Sequence, residues 1–229
     1  MNVAIIAAAG TGSRMAGDRP KQFLQLAGVP IIFHTLKPFE QCDSIQEIIV
    51  VLPAAESADF LALVQKYGVK KLSRVVPGGT TRAESVWRGL LSIRTATAEI
   101  IAVHDGVRPF VTMEEIDRTV AAAHSHGAAI LAAPAIDTIK QVDGGEVVKT
   151  LERRQLCHAL TPQCFRYELL RRAYERADVQ DPAITDDSSL VEQLGEPVMI
   201  VEGSSRNIKI TTVEDLLIAE SFLEGGLWS

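Results

Sequence analysis

Short, almost wholly apolar runs alternate with longer amphipathic ones along this chain. The runs are "VAIIAAAG" (3–10), "EIIVVLP" (47–53), "SRVVPGG" (73–79), "EIIAVHDG" (99–106), "AAILAAPA" (128–135) and "PVMIVEG" (197–203). Most are continuously apolar, as strands covered on both faces are. The stretches between them carry helical signals. "ESADFLALVQKYG" closes on a glycine, and "TRAESVWRGLLSI" and "TTVEDLLIAESFLEGG" have helical spacing. "TMEEIDRTVAAAHSHG" places Thr112 and Glu115 at capping-box spacing and ends on Gly127. Strand–helix alternation of this kind predicts an α/β chain, with a mostly parallel sheet and helices on both faces.

The 229 residues, 47% of them hydrophobic, suit a single domain over 1–229. The net charge of −6 disfavours sequence-independent nucleic-acid binding, which needs basic surface, but leaves room for a small anionic ligand held by local cations. Cys42, Cys157 and Cys164 are odd in number and lack C-x-x-C spacing, so free thiols in a reducing, cytoplasmic compartment are expected, without a disulfide framework or zinc site. The start "MNVAIIAAAG" lacks a charged n-region and reads as a buried first strand rather than a signal peptide. No apolar run approaches the roughly 18–20 residues of a membrane span.

One segment breaks the rhythm. "DTIKQVDGGEVVKTLER" (137–153) is two alternating strands around Asp143-Gly144-Gly145, a hairpin signal. It is more polar than the core runs, so it is expected to project from the sheet with unpaired edges. A plain surface arm and a dimerisation arm fit the residues equally.

Three loops after strands carry the chemistry. The first, "AAAGTGSRMAGDRPKQF" (7–23), has Gly10 and Gly12, but Met15 stands where a dinucleotide fingerprint needs glycine, and no Walker A sequence is present. Instead small residues lead into Arg14, Arg19 and Lys21. Small residues let backbone N–H groups approach an anion, and cations at several positions neutralise a polyphosphate from different sides. The second loop, "GGTTRAESV" (78–86), ends a strand on glycines and offers Thr80 or Thr81 as a helix cap. In the third, "VHDGVRPF" (103–110), Asp105 follows an apolar strand with Arg108 near. Asp105 reads either as a Mg²⁺ ligand beside a triphosphate or as the partner of Arg108 in a loop-holding ion pair. His104 reads as a packing or hydrogen-bonding residue. Asp186 and Asp187, at a helix start, read as capping carboxylates, with a catalytic part as the lesser alternative. All three loops fall at strand C-termini, where open parallel sheets bind ligands.

In order along the chain stand "AAAGTGSRM…PKQF", "GGTTRAESV", "VHDGVRPF", "DTIK", "ER…HALTPQ", "TDDSS" and "EGSSRNIKIT". From about Val3 to about Glu220 this set resembles the 2-C-methyl-D-erythritol 4-phosphate cytidylyltransferase family of non-mevalonate isoprenoid biosynthesis. The resemblance implies a Rossmann-like nucleotidyltransferase fold and a homodimer built through the arm. It implies transfer of a cytidylyl group from CTP to 2-C-methyl-D-erythritol 4-phosphate, with Mg²⁺. Carried over by motif, Arg14 and Lys21 stabilise the transition state; Arg153, Lys209 and Thr138 position the sugar phosphate, Thr138 and Arg153 serving the neighbouring subunit. Asp105 holds the metal. Ala8, Ala9, Gly10, Thr11 and Gly12, with Gly79, Thr80, Arg82, Ser85, Asp105 and Gly106, hold CTP.

The sequence departs from the family at Val107, where alanine is usual, and at Arg206, where an acidic residue often precedes "NIK". Asn207 is then the remaining polar candidate for a second metal oxygen. Nothing after "GGLWS" suggests the fused cyclodiphosphate synthase domain of some relatives. Two other readings stay open from the residues: a sister enzyme using ribitol 5-phosphate or another polyol phosphate, and a non-catalytic nucleotide-binding regulator.

Overall fold

The run "VAIIA" forms the strand at the centre of the site-bearing half of the sheet. In the computed structural model, which describes residues 1–10, 20–94 and 97–225, β1 (Val3–Ala7) is followed by a short ribbon of β2 (Gln25–Leu26) and β3 (Val29–Pro30). Then come α1 (Ile31–Gln41), β4 (Glu47–Leu52), α2 (Ser57–Val64), β5 (Leu72–Pro77), α3 (Arg82–Leu91), β6 (Ile100–Asp105) and α4 (Met113–His126). The second half runs β7 (Ala128–Pro134), β8 (Lys140–Asp143), β9 (Glu146–Thr150), β10 (Cys157–Arg166), α5 (Tyr167–Arg176), α6 (Ser188–Glu192), β11 (Met199–Glu202) and α7 (Val213–Glu224).

Seven strands make one sheet in the order β11-β7-β10-β6-β1-β4-β5. All neighbours are parallel except β10, which runs against both β6 and β7. This is the mostly parallel sheet the alternating pattern predicts, in the Rossmann-like form the resemblance implies. Register explains the continuous apolar runs. Ala4 and Ile6 face a layer built from α1 and α4, with Phe33, Leu36, Phe39, Ile116 and Val120. Val3 and Ile5 face α3, α5 and α6 through Val86, Leu90, Leu170 and Val191. With both faces buried, alternation has no polar side to show. A smaller cluster joins α7 to the third loop through Ala219, Ile210, Val107 and Phe110, fixing the C-terminal segment above the sheet's edge.

Six elements lie outside the runs picked out in the sequence: β2, β3, α1, β10, α5 and α6. The helix α1 contains Pro38, a residue that ordinarily marks a break. The strand β10 carries Pro162, and its register shifts between Ala159 and Gln163. There Thr161 Oγ1 accepts the Asp105 backbone N–H at 3.2 Å, a side chain standing in for the ladder.

The helix signals hold. Thr112 and Glu115 form the capping box of α4, Thr212 and Asp215 form one on α7, and Thr81 rather than Thr80 caps α3. The hairpin expected over 137–153 is present as β8 and β9, hydrogen-bonded to each other and forming a separate two-stranded sheet. Gly144 and Gly145 have φ of 55° and 87°, the left-handed backbone a tight hairpin turn requires. Every residue of its two strands is exposed, including Val142, Val147 and Val148. Among the described residues no helix is long and apolar enough to cross a membrane.

Candidate active site

The loops after β1, β5 and β6 meet at the carboxyl edge of the sheet. Their approach is close enough to demand glycine: a β-carbon on Gly78 would collide with that of Ala9, and one on Gly106 with that of Ala8. Backbone bonds tie the loops together, from Ala8 N–H to Val51 O, Gly78 N–H to Leu52 O and Gly106 N–H to Ala7 O.

Between them lies a cavity of about 520 Å³. One wall is Ala8, Ala9 and Gly10 from the first loop, with Lys21 and Gln22. The second is Gly79, Thr80, Thr81, Arg82 and Ser85, and the third is Asp105, Val107 and Lys209. The three motifs thus converge on one crevice, and Lys209, far along the chain, joins them. Thr11, Gly12 and Arg14 lie outside the described residues. Gly106 sits between two lining residues and serves the close approach to Ala8. Thr138 and Arg153 do not line this cavity; both are exposed on the arm's base, where Arg153 Nη1 donates to Ile136 O at 2.7 Å.

Asp105 is the electrostatic centre. Its Oδ1 accepts from Arg82 Nε at 3.1 Å, and its Oδ2 meets Arg108 Nε at 3.2 Å and Lys209 Nζ at 3.0 Å. Burial pushes this carboxyl upward, but the attractions of Arg82, Lys209 and Arg108 overcome it and hold Asp105 far below the usual carboxylate range. Three cations on one carboxylate leave local positive charge, the right sign for a polyphosphate. The loop-holding Asp105–Arg108 pair is present, and Asp105 also lines the cavity. Arg108 also donates from Nη1 to Asn207 O at 2.8 Å, binding the Lys209 segment to the loop.

The second loop is held from behind. Ser85 is buried, takes the Gly79 N–H at 3.0 Å and donates to Thr81 O at 2.8 Å. Glu84 Oε2 accepts the Thr80 N–H at 2.7 Å. The bonds from Thr80 and Gln180 pull its carboxyl down to about 2. His104 is buried, with Nε2 near Arg108 O and Nδ1 near Thr161 Oγ1, in the hydrogen-bonding role expected of it. Burial, opposed by those bonds, lowers its imidazole to about 4.

Asp186 caps α6 as expected, accepting the Ser189 N–H at 3.1 Å. Asp187 does not. Its side chain is fully buried, takes Arg82 Nη2 at 2.8 Å and accepts the Tyr174 hydroxyl at 2.5 Å. The capping role is corrected because its carboxylate points into the fold rather than back along its own helix. Gln22 is a second residue the motifs left without a role. It is buried in the cavity wall and donates from Nε2 to Ala8 O at 2.6 Å, pinning the first loop beside Lys21. Its place in "PKQF" was the only signal for it; Tyr174, on an ordinary amphipathic helix, gave none.

A divalent cation fits these residues in one respect that can be read directly. Asn207 Oδ1 is buried without a hydrogen-bond partner among the described residues, while its Nδ2 donates to Thr161 O. An unsatisfied amide oxygen together with Asp105 offers hard-oxygen donors. Among the described residues no group of three or more His, Cys, Asp or Glu could hold a metal.

The family model described as 2-C-methyl-D-erythritol 4-phosphate cytidylyltransferase matches residues 2–225. A protein of that name from Bacillus cereus is 47% identical over 223 residues, covering 97% of this chain and 98% of its own. One from Pelotomaculum thermopropionicum is 44% identical, covering 96% and 93%. Among solved structures, the 4-diphosphocytidyl-2C-methyl-D-erythritol synthase of Anaerococcus prevotii superposes with a TM-score of 0.86 at 33% identity, over 98% of each chain. The cytidylyltransferase of Thermus thermophilus gives 0.77 at 32%, over 97% of this chain and 98% of its own.

Proposed function

The chain belongs to the 2-C-methyl-D-erythritol 4-phosphate cytidylyltransferase family, and we propose that the cavity at the carboxyl edge of its sheet is where the family's reaction is carried out. The enzyme is a nucleotidyltransferase: a phosphate oxygen of 2-C-methyl-D-erythritol 4-phosphate attacks the α-phosphorus of CTP, the bond to the β-phosphate oxygen breaks, and pyrophosphate leaves. The observation that carries the assignment of residues is that Lys21 lines one crevice with Arg82 and Lys209, both of which pair with Asp105 there.

The attacking phosphate monoester has a second pKa of about 6, so at neutral pH it is mostly dianionic and needs no general base. That agrees with a cavity lined by cations and glycines, with His104 buried away from it. The difficulty is bringing two anions together, so the protein's work is positioning and electrostatics. Lys21, held at a short helical turn beside Gln22, meets the charge that grows on the α-phosphate, and Arg14 shares this role. Ala8 to Gly12, Gly79, Thr80, Arg82, Ser85 and Gly106 form the nucleotide cradle. Lys209, now on Asp105, is available to the incoming sugar phosphate. Asp105 and Asn207 would hold Mg²⁺, which when bound supplies charge neutralisation across the phosphates.

Thr138 and Arg153 sit on an exposed arm and outside this chain's own cavity, which supports a homodimer in which they clamp the sugar phosphate of a second copy. Three free cysteines accord with a cytoplasmic enzyme. The test is pyrophosphate release with Mg²⁺, crossing CTP and UTP with 2-C-methyl-D-erythritol 4-phosphate and ribitol 5-phosphate. Release is expected only with CTP and the methylerythritol phosphate. Release with ribitol 5-phosphate in its place would overturn the acceptor assignment, and CTP binding without any release would leave a regulator.

A further inference from the structure

Behind the cavity wall Arg82 is forked between two carboxylates that come from distant parts of the chain. Its Nε goes to Asp105 at 3.1 Å and its Nη2 to Asp187 at 2.8 Å. A guanidinium offered one carboxylate tends to chelate it with two parallel bonds. Here the second carboxylate prevents that, and Asp105 Oδ2 stays open to Arg108 and Lys209.

Asp187 is itself immobilised. Its Oδ1 takes the hydroxyl of Tyr174 from α5, and its backbone N–H donates to Gln163 Oε1 at 3.0 Å. Gln163, buried in β10, also takes the Ser188 N–H at 3.0 Å and donates to Asp186 Oδ2 at 2.8 Å. A fully buried carboxylate is costly unless paired, so this one is retained against a desolvation penalty. What it holds is a guanidinium whose other end reaches the cavity.

We propose that Asp187 is a positioning residue for the nucleotide: with Tyr174 behind it, it fixes the fork of Arg82 so that the guanidinium stands in the cavity wall instead of closing on Asp105. This rests on the reading of the cavity as the CTP site. The chain of contacts is Tyr174–Asp187–Arg82–Asp105, and only the last two members line the cavity. Asp187 therefore acts on CTP through Arg82. It reaches the acceptor phosphate only at one further remove, through Asp105 and Lys209.

The experiment measures CTP affinity by calorimetry and steady-state kinetics for both substrates. Asp187→Asn removes the charge while its amide oxygen can still accept from Arg82. The dissociation constant and KM for CTP should rise about tenfold or more, the scale of a lost charge-assisted pair. The KM for the sugar phosphate should rise by a smaller factor than the KM for CTP, because Asp187 reaches Lys209 only through Arg82 and Asp105. Tyr174→Phe, which removes one hydroxyl, should weaken CTP by a smaller factor in the same direction. In an Arg82→Gln background Asp187→Asn should add less than about twofold, because the two act as one unit. That double variant also leaves no orphaned buried cation, so it reports even where Asp187→Asn alone folds poorly. An Asp187→Asn enzyme binding CTP as the parent does would overturn the proposal. So would effects of Asp187→Asn and Arg82→Gln that multiply independently. Failure of the parent protein to bind CTP or release pyrophosphate would instead remove the site reading beneath it.

Discussion

Lys209 Nζ lies 3.0 Å from Asp105 Oδ2, although one residue comes from the segment after β11 and the other ends β6. The cation assigned to the incoming sugar phosphate is thus seated on the carboxylate assigned to the metal. Binding of substrates must redistribute this pair rather than build a site from nothing. Lys209→Ala should raise the KM for the sugar phosphate about tenfold or more while leaving CTP affinity less affected, the loss expected of a desolvated phosphate contact. Steady-state kinetics with each substrate varied in turn will check it. An unchanged KM for the sugar phosphate would remove Lys209 from that role.

Lys21 stands on the first-loop wall of the cavity, half-buried and at the start of its short turn. If it meets charge only in the transition state, Lys21→Ala should lower kcat by about 10² or more while leaving the thermal midpoint within a few degrees, as loss of one preorganised donor does. Arg14→Ala should behave alike. Parent-like turnover in either variant refutes its assignment.

The arm makes a different kind of claim, because its residues are proposed to act on a neighbouring copy. Homodimers of Lys21→Ala and of Arg153→Ala should each be poor enzymes. Mixed dimers contain one site lacking both groups and one site with both intact. Their activity should therefore recover to about half that of the parent, by the symmetry of a shared interface. Verified heterodimers with no recovery would argue that Arg153 serves its own chain or none.

His104 supplies a pH signature of the fold. Burial, offset in part by its bonds to Arg108 and Thr161, lowers its pKa from 6.5 to about 4. As pH falls through 6.5 the unfolded chain takes up a proton on this ring and the folded chain does not. The stability linked to the neutral ring is complete above about pH 6.5 and drains away as pH drops toward 4. The linked change is of order 3 kcal/mol. Chemical denaturation of the parent and of His104→Gln between pH 7 and 4 will test it: the variant should lose less stability over that interval, whatever its stability at pH 7. Equal slopes would mean that the ring takes up its proton in the folded protein as it does in the unfolded chain.

The parts of the fold that were legible in the sequence are those where burial is symmetric. β1, β4 and β6 are covered on both faces, so their residues have no polar alternation and stand out as apolar runs. β10 was not legible. Its "CHALTPQCFR" mixes His, Thr, Pro and Gln into a buried strand, because Thr161 and Gln163 hold the Asp105 and Asp187 segments by side-chain bonds. A strand that supports a site looks unlike a strand that only fills a core. Likewise, the cations after the first glycine loop and the carboxylate closing an apolar strand exposed Lys21 and Asp105 to sequence reasoning, whereas Arg82 came only with the family resemblance. The Arg82–Asp187 pair spans 105 positions, and no local pattern encodes a contact of that range. Asp187 therefore passed for a helix cap until its side chain was seen to point inward.

The reversed direction of β10 has a consequence for how this scaffold can change. Cys157 pairs with Pro134, so the strand starts where β7 finishes, at the same rim as the cavity. The excursion between them, residues 135–156 with the arm at its tip, leaves and returns along that rim. The arm's excursion therefore shares the cavity's rim, whereas the Asp43–Gln46 connection enters β4 at the opposite rim. The scaffold has one rim remote from the cavity, where a change of length leaves the lining residues in place, and one where the cavity and the base of the arm stand on the same strand ends.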